Sequence, residues 1–289
     1  MLSMEKLFNP DYLQHLCQKY GLRPSKQYGQ NFLLNEEVVQ KMVEAGDVSK
    51  KDEVIEVGPG FGVLTFSLCE KAGKVMAYEI EKKIQPYWEE KQKEYKNLEI
   101  IWGNVLNSQK SIKSAKSLRS PEEMGKYKVV ANLPYQITSQ IIRFFLEQEN
   151  KPESMVVMVQ KEVGERICAK PGDLSVLGIS VQYFGEPEII AFVSRNDFYP
   201  APKVDSAVIK IVLKKKLPKI DEKEFFAFVR AGFINKRKLL IKNLKNYLGD
   251  KNKKTVDEAF AKMEFPENIR AQELSLEEWL RLFSIINSP

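Results

Sequence analysis

Asn132-Leu133-Pro134-Tyr135 stands directly after the apolar run Val129-Val130-Ala131. It brings together a carboxamide, a turn whose φ is fixed by proline, and a flat aromatic face. No strong acid, base or thiol is among them. Side-chain and backbone carbonyls beside a π surface suit a planar, weakly nucleophilic amine such as the exocyclic nitrogen of adenine. An Asn-x-Pro turn that ends a strand and is followed by a packing tyrosine would use the same residues, so the chemical reading needs support from elsewhere in the chain.

That support begins with Gly58-Pro59-Gly60-Phe61-Gly62, which follows the short apolar run Val54-Ile55-Glu56-Val57. Glycines where a strand turns into a helix let the backbone approach a ligand closely. The spacing is G-x-G-x-G, whereas a dinucleotide fingerprint requires G-x-G-x-x-G, which counts against a nicotinamide cofactor. Glu79 closes the next expected strand, Lys74 to Tyr78, where a carboxylate can accept hydrogen bonds from ribose hydroxyls. Asn104, at the exit of a third strand over Leu98 to Trp102, is placed to meet an adenine edge, although Asn is also a common turn residue.

The elements that must position these residues follow from periodicity. Asn35 caps a helix with Glu36 and Glu37 in its first turn and Gly46 at its end. Helical spacing recurs over Val63 to Glu70, Ile84 to Tyr95 and Ser139 to Leu146. Further strands are expected at Val129 to Ala131, Met155 to Val159, Glu188 to Val193 and Ala207 to Leu213. The last two are separated by Phe198-Tyr199-Pro200-Ala201-Pro202, too short for a crossover helix, and are expected to pair as an antiparallel hairpin. Asn107 to Lys126 reads as a long surface connection. The sum is an α/β doubly wound sheet of seven strands, expected over 1–213, and a wholly helical region after it, 214–289.

Composition sets the frame. The 289 residues are 43% hydrophobic and 29% charged, values of a globular protein with room for two domains. Residues 214–289 hold 17 Lys/Arg against 11 Asp/Glu, leaving 28 of each before them. The whole net charge of +6 therefore belongs to the helical region, which is expected to meet a polyanion unless the lysines form a merely solvated face. Cys17, Cys69 and Cys168 are far apart, so neither a disulfide framework nor a close-spaced metal cluster is expected. His15 is the only histidine and lies in an N-terminal helical stretch, remote from every motif above. No apolar run approaches a membrane span and no secretory signal opens the sequence, so a cytoplasmic protein is expected.

With these motifs the sequence resembles the ribosomal RNA adenine dimethyltransferases, most of all the bacterial enzymes acting near the 3′ end of small-subunit ribosomal RNA. The resemblance rests on Gly29-Gln30-Asn31-Phe32-Leu33, Glu56 to Gly62, Asn132 to Tyr135 with Thr138, and Gln160-Lys161-Glu162-Val163 with Arg166. It continues through Phe198-x-Pro200-x-Pro202-Lys203-Val204-Asp205-Ser206, Lys236-Arg237-Lys238 with Asn243-Leu244, and Arg270 to Ser275. It implies a Rossmann-like methyltransferase domain followed by a small all-α domain, with S-adenosylmethionine as methyl donor. Position by position, it implies that Asn31 and Leu33 close over the donor, Gly58 and Gly60 approach its methionine part, and Glu79 holds its ribose. Asn104 matches a position usually held by Asp that bonds the adenine amino group; its side-chain oxygen can still accept that bond. Asn132, Leu133, Pro134, Tyr135 and Phe198 are implied as catalytic, with Asn132 also touching the donor and Tyr135 and Phe198 stacking on a flipped-out base. Lys236, Arg237 and Lys238 are implied to place the protein, as a monomer, on rRNA within an immature 30S subunit.

Gln136, where relatives often carry Asn, departs from the pattern, and Pro171 to Ile179 is shorter than usual, which could alter a loop near the RNA. Two other functions share these motifs: a large-subunit adenine dimethylase of antibiotic resistance, and a non-catalytic RNA-binding assembly or transcription factor. The Leu of Asn-Leu-Pro-Tyr and the Lys-Arg-Lys run favour the small-subunit activity over the first. Intact Asn132, Pro134 and Tyr135 speak against the second.

Overall fold

A computed structural model describes residues 4–24, 30–108, 125–249 and 253–287. Gly29 of the first motif and most of the expected connection between Asn107 and Lys126 lie outside the described residues. The chain forms two compact units, Met1–Gly164 with Glu186–Leu213, and Glu165–Gly185 with Lys214–Pro289. Residues 165–185 thus group with the C-terminal helices, although a strand of the first unit follows them.

The first unit opens with helix α1 (Pro10–Lys19), started by the Asn9 carboxamide, which accepts from the Asp11 and Tyr12 N–H groups, and by Pro10 at its first position. The two-residue strand β1 (Phe32–Leu33) follows, then α2 (Glu36–Ala45), capped by Asn35 as expected. From there strand and helix alternate: β2 (Glu53–Val57), α3 (Val63–Lys71), β3 (Lys74–Glu79), α4 (Gln85–Glu94), β4 (Leu98–Trp102), β5 (Tyr127–Asn132), α5 (Thr138–Leu146) and β6 (Ser154–Gln160). The short helix α6 (Lys161–Ile167) leaves the end of β6, and β7 (Gly185–Val193), β8 (Phe198–Tyr199) and β9 (Ser206–Leu213) complete the strands.

The seven-stranded sheet has the order β4-β3-β2-β5-β6-β9-β7. Strands β4, β3, β2, β5 and β6 run parallel, and β9 returns antiparallel to β6. Such strands are buried on both faces and read as continuous apolar runs rather than alternating ones. Met155 to Val159, for example, have no exposed surface. The chain moves outward from β2 through β3 to β4, then returns to start β5 on the other side of β2. This reversal opens a crevice beyond the carboxyl ends of β2 and β5, where ligands bind in open α/β sheets. Val57 and Asn132 end those two strands, so topology alone brings the glycine turn and the Asn132 turn to one place.

Phe198 and Tyr199 are more than a connector. They form β8, antiparallel to β1, with Phe32 opposite Tyr199 and Leu33 opposite Phe198. Two-residue strands carry too little periodicity to be seen in sequence. Strands β7 and β9 are sheet neighbours, as expected, and β9 also pairs with the whole length of β6.

The second unit contains α7 (Val176–Phe184), α8 (Glu222–Gly232), α9 (Leu240–Leu248), α10 (Lys253–Lys262) and α11 (Leu276–Asn287). The later part of Pro171 to Ile179 is therefore helix, started by the Ser175 hydroxyl, which accepts from the Gly178 N–H. Helix α11 begins with a capping box. The Ser275 N–H donates to the Glu278 carboxylate at 2.7 Å, and the Glu278 N–H donates to the Ser275 hydroxyl at 3.2 Å. Its core is aromatic, with Trp279 packed among Phe228 and Phe233.

Candidate active site

The cleft at the reversal is lined by Gln30, Asn31, Phe32 and Leu33, by Glu56 and the turn Gly58 to Gly62, by Glu79 and Ile80, and by Asn132 and Pro134. Segments distant in sequence meet here because each one leaves or approaches the same end of the sheet.

The turn from β2 to α3 is held by many bonds. Gly58 N–H donates to the Tyr78 carbonyl at 2.9 Å, and Gly62 N–H to the Pro59 carbonyl at 2.9 Å. From α4 the Trp88 indole N–H donates to the Gly60 carbonyl at 3.1 Å and the Tyr87 hydroxyl to the Phe61 carbonyl at 2.6 Å. Gly58 has φ +75° and open space where a Cβ would stand. A ligand can therefore lie directly on its backbone. Nothing in the sequence of α4 marks Tyr87 and Trp88 as supports of this turn; their role needs the packing of α4 beside α3.

Glu79 is 5% exposed, yet well solvated by the backbone. Its carboxylate accepts the Gly60 N–H at 3.2 Å and the Ile80 and Glu81 N–H groups at 2.8 Å each. Burial raises its pKa, while these three donors oppose that rise. A carboxylate has about four lone-pair positions, so capacity remains for hydroxyl donors from the cleft.

Glu56 was legible only as part of a motif, and the fold gives it a distinct character. It is 2% exposed, faces the cleft, and its Oε2 has no hydrogen-bond partner among the described residues. Burial, reinforced by the nearby charge of Glu79, pushes its carboxyl up to about 8. Glu56 therefore carries a proton in the folded chain between its ordinary value of 4.5 and about 8, whereas the unfolded chain has released it. Over that window stability falls as pH rises, by on the order of 1 kcal/mol per pH unit from this group, and the loss levels off above the folded value. Thermal melts between pH 6 and 9 should show a decline that Glu56→Gln flattens. Parallel declines in the two proteins would show that Glu56 ionises normally.

Around Asn132 the geometry selects an orientation. Its Nδ2 donates to the Asn31 carbonyl at 3.4 Å, so the amide has a fixed sense and Oδ1 is the atom left to accept. Leu133 N–H donates to the Met158 carbonyl, which locks the turn to β6. The Pro134 carbonyl accepts from the Thr138 hydroxyl at 3.0 Å and from the Ile137 N–H at 3.2 Å. The Tyr135 hydroxyl lies 2.6 Å from that of Ser206.

Some expected residues stand differently. Phe198 is 3% exposed and belongs to the hydrophobic core, so a stacking role for its ring requires the β1–β8 ribbon to move. Leu33, opposite it, is 2% exposed but does line the cleft. Asn104 is exposed and its Oδ1 already accepts the Leu106 N–H at 3.0 Å. Tyr135 lies just outside the cleft lining, and His15 is exposed on α1. In the second unit Arg237, Lys238, Lys242, Lys245 and Lys253 line one basic concavity. Lys236 is exposed beside Arg237 in the chain, and Lys242, Lys245 and Lys253 add charges that a short basic motif does not include. Among the described residues there is no cluster suited to a metal ion, and no helix is long and apolar enough to cross a membrane.

Residues 21–288 match the family described as ribosomal RNA adenine dimethylase. A curated relative, the ribosomal RNA small subunit methyltransferase A of Dehalococcoides mccartyi, is 41% identical over 275 residues, covering 93% of this chain and 90% of its own. Among solved structures, a dimethyladenosine transferase from Plasmodium falciparum superimposes with a TM-score of 0.69 at 26% identity, over 86% of this chain and 95% of that one. The 23S rRNA methyltransferase ErmE superimposes with a TM-score of 0.70 at 24% identity, over 89% of this chain and 100% of that one, a likeness of fold alone.

Proposed function

The chain belongs to the ribosomal RNA adenine dimethylase family, and from that membership we propose that it transfers methyl groups from S-adenosylmethionine to N6 of two adjacent adenines near the 3′ end of small-subunit rRNA. The observation that carries the chemistry is the meeting of a neutral, oriented Asn132 acceptor with the glycine-lined cleft between β2 and β5.

The cleft fits the donor. Open space over Gly58 and the spare acceptor capacity of Glu79 offer close backbone approach and an acceptor for ribose hydroxyls, and the unpartnered Oε2 of Glu56 offers an acceptor for an ammonium group, whose positive charge would favour release of the carboxyl proton. Asn31 and Leu33 cover the mouth from the β1 side. When bound, the donor supplies an electrophilic methyl group on a sulfonium.

Adenine's amino lone pair is delocalised into its ring and attacks such a methyl poorly. Hydrogen bonds from N6 to Asn132 Oδ1 and the Leu133 carbonyl favour a pyramidal nitrogen whose lone pair points away from the ring. The rest of the acceleration comes from alignment, which is worth up to about 7–11 kcal/mol when reacting atoms are held at near-attack distance. Tyr135 stacks on the extruded base and contributes about 1–3 kcal/mol. The proton released from N6 needs no strong base, which accounts for a site without one. Dimethylating two adenines consumes four donor molecules. The concavity of Arg237, Lys238 and Lys242, with Lys236 beside it, binds rRNA phosphates within an immature 30S subunit.

Asn104 tests the donor's adenine end. With its oxygen engaged by Leu106 N–H, Asn104 offers one remaining lone pair and an amide donor, whereas Asp would offer a second, charged oxygen. Asn104→Asp is expected to tighten donor binding about 3- to 10-fold, read by calorimetric titration. Unchanged affinity would mean that this position does not meet the adenine amine.

The decisive experiment incubates the protein with labelled donor and undermethylated 30S subunits and maps products by primer extension. Stops at two adjacent small-subunit adenines are expected. A stop confined to large-subunit RNA would replace this proposal with the resistance-type activity, and RNA binding without product would replace it with an assembly role.

A further inference from the structure

Ser206 is a small polar residue with no exposed surface, at the first position of β9 and 71 residues beyond Tyr135 in the chain. The fold anchors it on every side. It stands opposite Gln160 in the β6–β9 ladder. The preceding Asp205 accepts the Lys161 N–H on its carbonyl at 2.9 Å and the Arg195 N–H on its carboxylate at 3.0 Å. Its hydroxyl lies 2.6 Å from the Tyr135 hydroxyl, and either group can donate.

Tyr135 needs such an anchor. It opens a short 3-10 turn, Tyr135–Ile137, and its ring is partly exposed. Its backbone follows Pro134, whose φ is fixed, so the near end of the side chain is already placed. A tyrosine ring held only at Cα can still change rotamer, carrying its outer end several ångströms. A hydrogen bond at the far end, from a residue set rigidly in the sheet, removes that freedom before any base arrives.

We propose that Ser206 is a positioning residue for methyl transfer: it holds the Tyr135 hydroxyl, and so fixes the plane on which the target adenine is stacked. This rests on the adenine-methylating function proposed above. Ser206 touches neither base nor donor. It acts through the Tyr135 ring, whose face sets the depth and tilt at which N6 meets the acceptors of Asn132 and Leu133. Alignment at the reacting atoms is sensitive to small displacements, so the bond matters more to turnover than to folding.

The test is a double-mutant cycle with Ser206→Ala, Tyr135→Phe and the combination, using undermethylated 30S subunits. Each single variant is expected to lower kcat by about 3- to 10-fold, the range of one hydrogen bond, while donor affinity and binding stoichiometry stay at wild-type values. The double variant should be no slower than the slower single one, because both changes break the same bond. Tyr135→Phe removes one oxygen from a partly exposed ring and measures the bond even where Ser206→Ala fails to fold. Wild-type kcat in Tyr135→Phe would overturn the proposal. So would a Ser206→Ala loss that recurs in full on the Tyr135→Phe background, or one that appears as reduced donor-binding stoichiometry, since either marks a purely structural role. If the wild-type protein methylates neither adenine, the underlying function fails and the proposal with it; if it methylates both and the variants match it, only the proposal fails.

Discussion

Asn132→Ala is expected to abolish methyl transfer, with a loss of about 10²- to 10³-fold in single-turnover rate, comparable to removal of one preorganised polar group from an active site. The folded structure should survive, because the side chain is partly exposed and its one described bond, Nδ2 to the Asn31 carbonyl, is long at 3.4 Å. The effect comes from the other atom of the amide. With Nδ2 committed to Asn31, Oδ1 is the acceptor that the proposed mechanism presents to the adenine amine, and alanine removes it without a substitute. Asn132→Asp separates acceptor from orientation. It keeps an oxygen for the amine but sets a carboxylate against the Asn31 carbonyl, where a donor was required. That repulsion should turn the group away, so Asp is expected to rescue poorly. Single-turnover methylation with labelled donor, beside a melting curve, measures both. Full activity in Asn132→Ala would sink the proposed mechanism.

Gly62→Ala is expected to damage both stability and donor binding. Gly62 has φ +93°, a region that costs an L-residue about 1–2 kcal/mol. A Cβ placed there would stand 2.7 Å from Phe66 Cζ and 2.8 Å from Trp88 Cη2. Those rings cannot swing aside, since Phe66 is 3% exposed and Trp88 is fully buried. Overpacking of this kind costs typically about 1–3 kcal/mol, so a total loss of about 2–5 kcal/mol is expected in denaturant unfolding. The same displacement would break the bond from the Trp88 indole to the Gly60 carbonyl and shift the turn under the donor. A variant as stable as wild type, with unchanged donor affinity, would show that the turn relaxes without cost. Gly58→Ala offers the contrast: strained by its φ, it meets open space, so its cost should fall on ligand approach rather than packing.

Much of this site was legible because its chemistry is carried by residues adjacent in sequence. The glycine turn, Glu79 at a strand end and Asn132 to Tyr135 at another are each set by local rules: a strand period, a breaker, a cap. The expected elements over β2 to β6 agree with the observed ones to within about two residues. Asn35, Ser275 and Glu278 cap as their types require, because capping bonds span only two or three residues. Charge asymmetry pointed equally to the second unit, and the concavity around Arg237 and Lys242 lies within it.

What could not be read depends on pairs far apart in the chain. Two-residue strands such as Phe32–Leu33 and Phe198–Tyr199 have no period of their own and exist only because each completes the other's hydrogen bonds. The same pairing buries Phe198, which its motif presents as a free aromatic. Tyr87 and Trp88 look like ordinary core residues until α4 packs beside the glycine turn. Glu56 becomes a carboxyl that holds its proton only when the sheet removes water from it, since desolvation is a property of the assembled interior. Residue types and short spacings thus determined which groups stand at the ends of β2, β3 and β5 and where the chain's excess positive charge lies. Tertiary structure alone decided how those groups are oriented, protonated and held, because orientation and burial arise from contacts between segments that the chain keeps many residues apart.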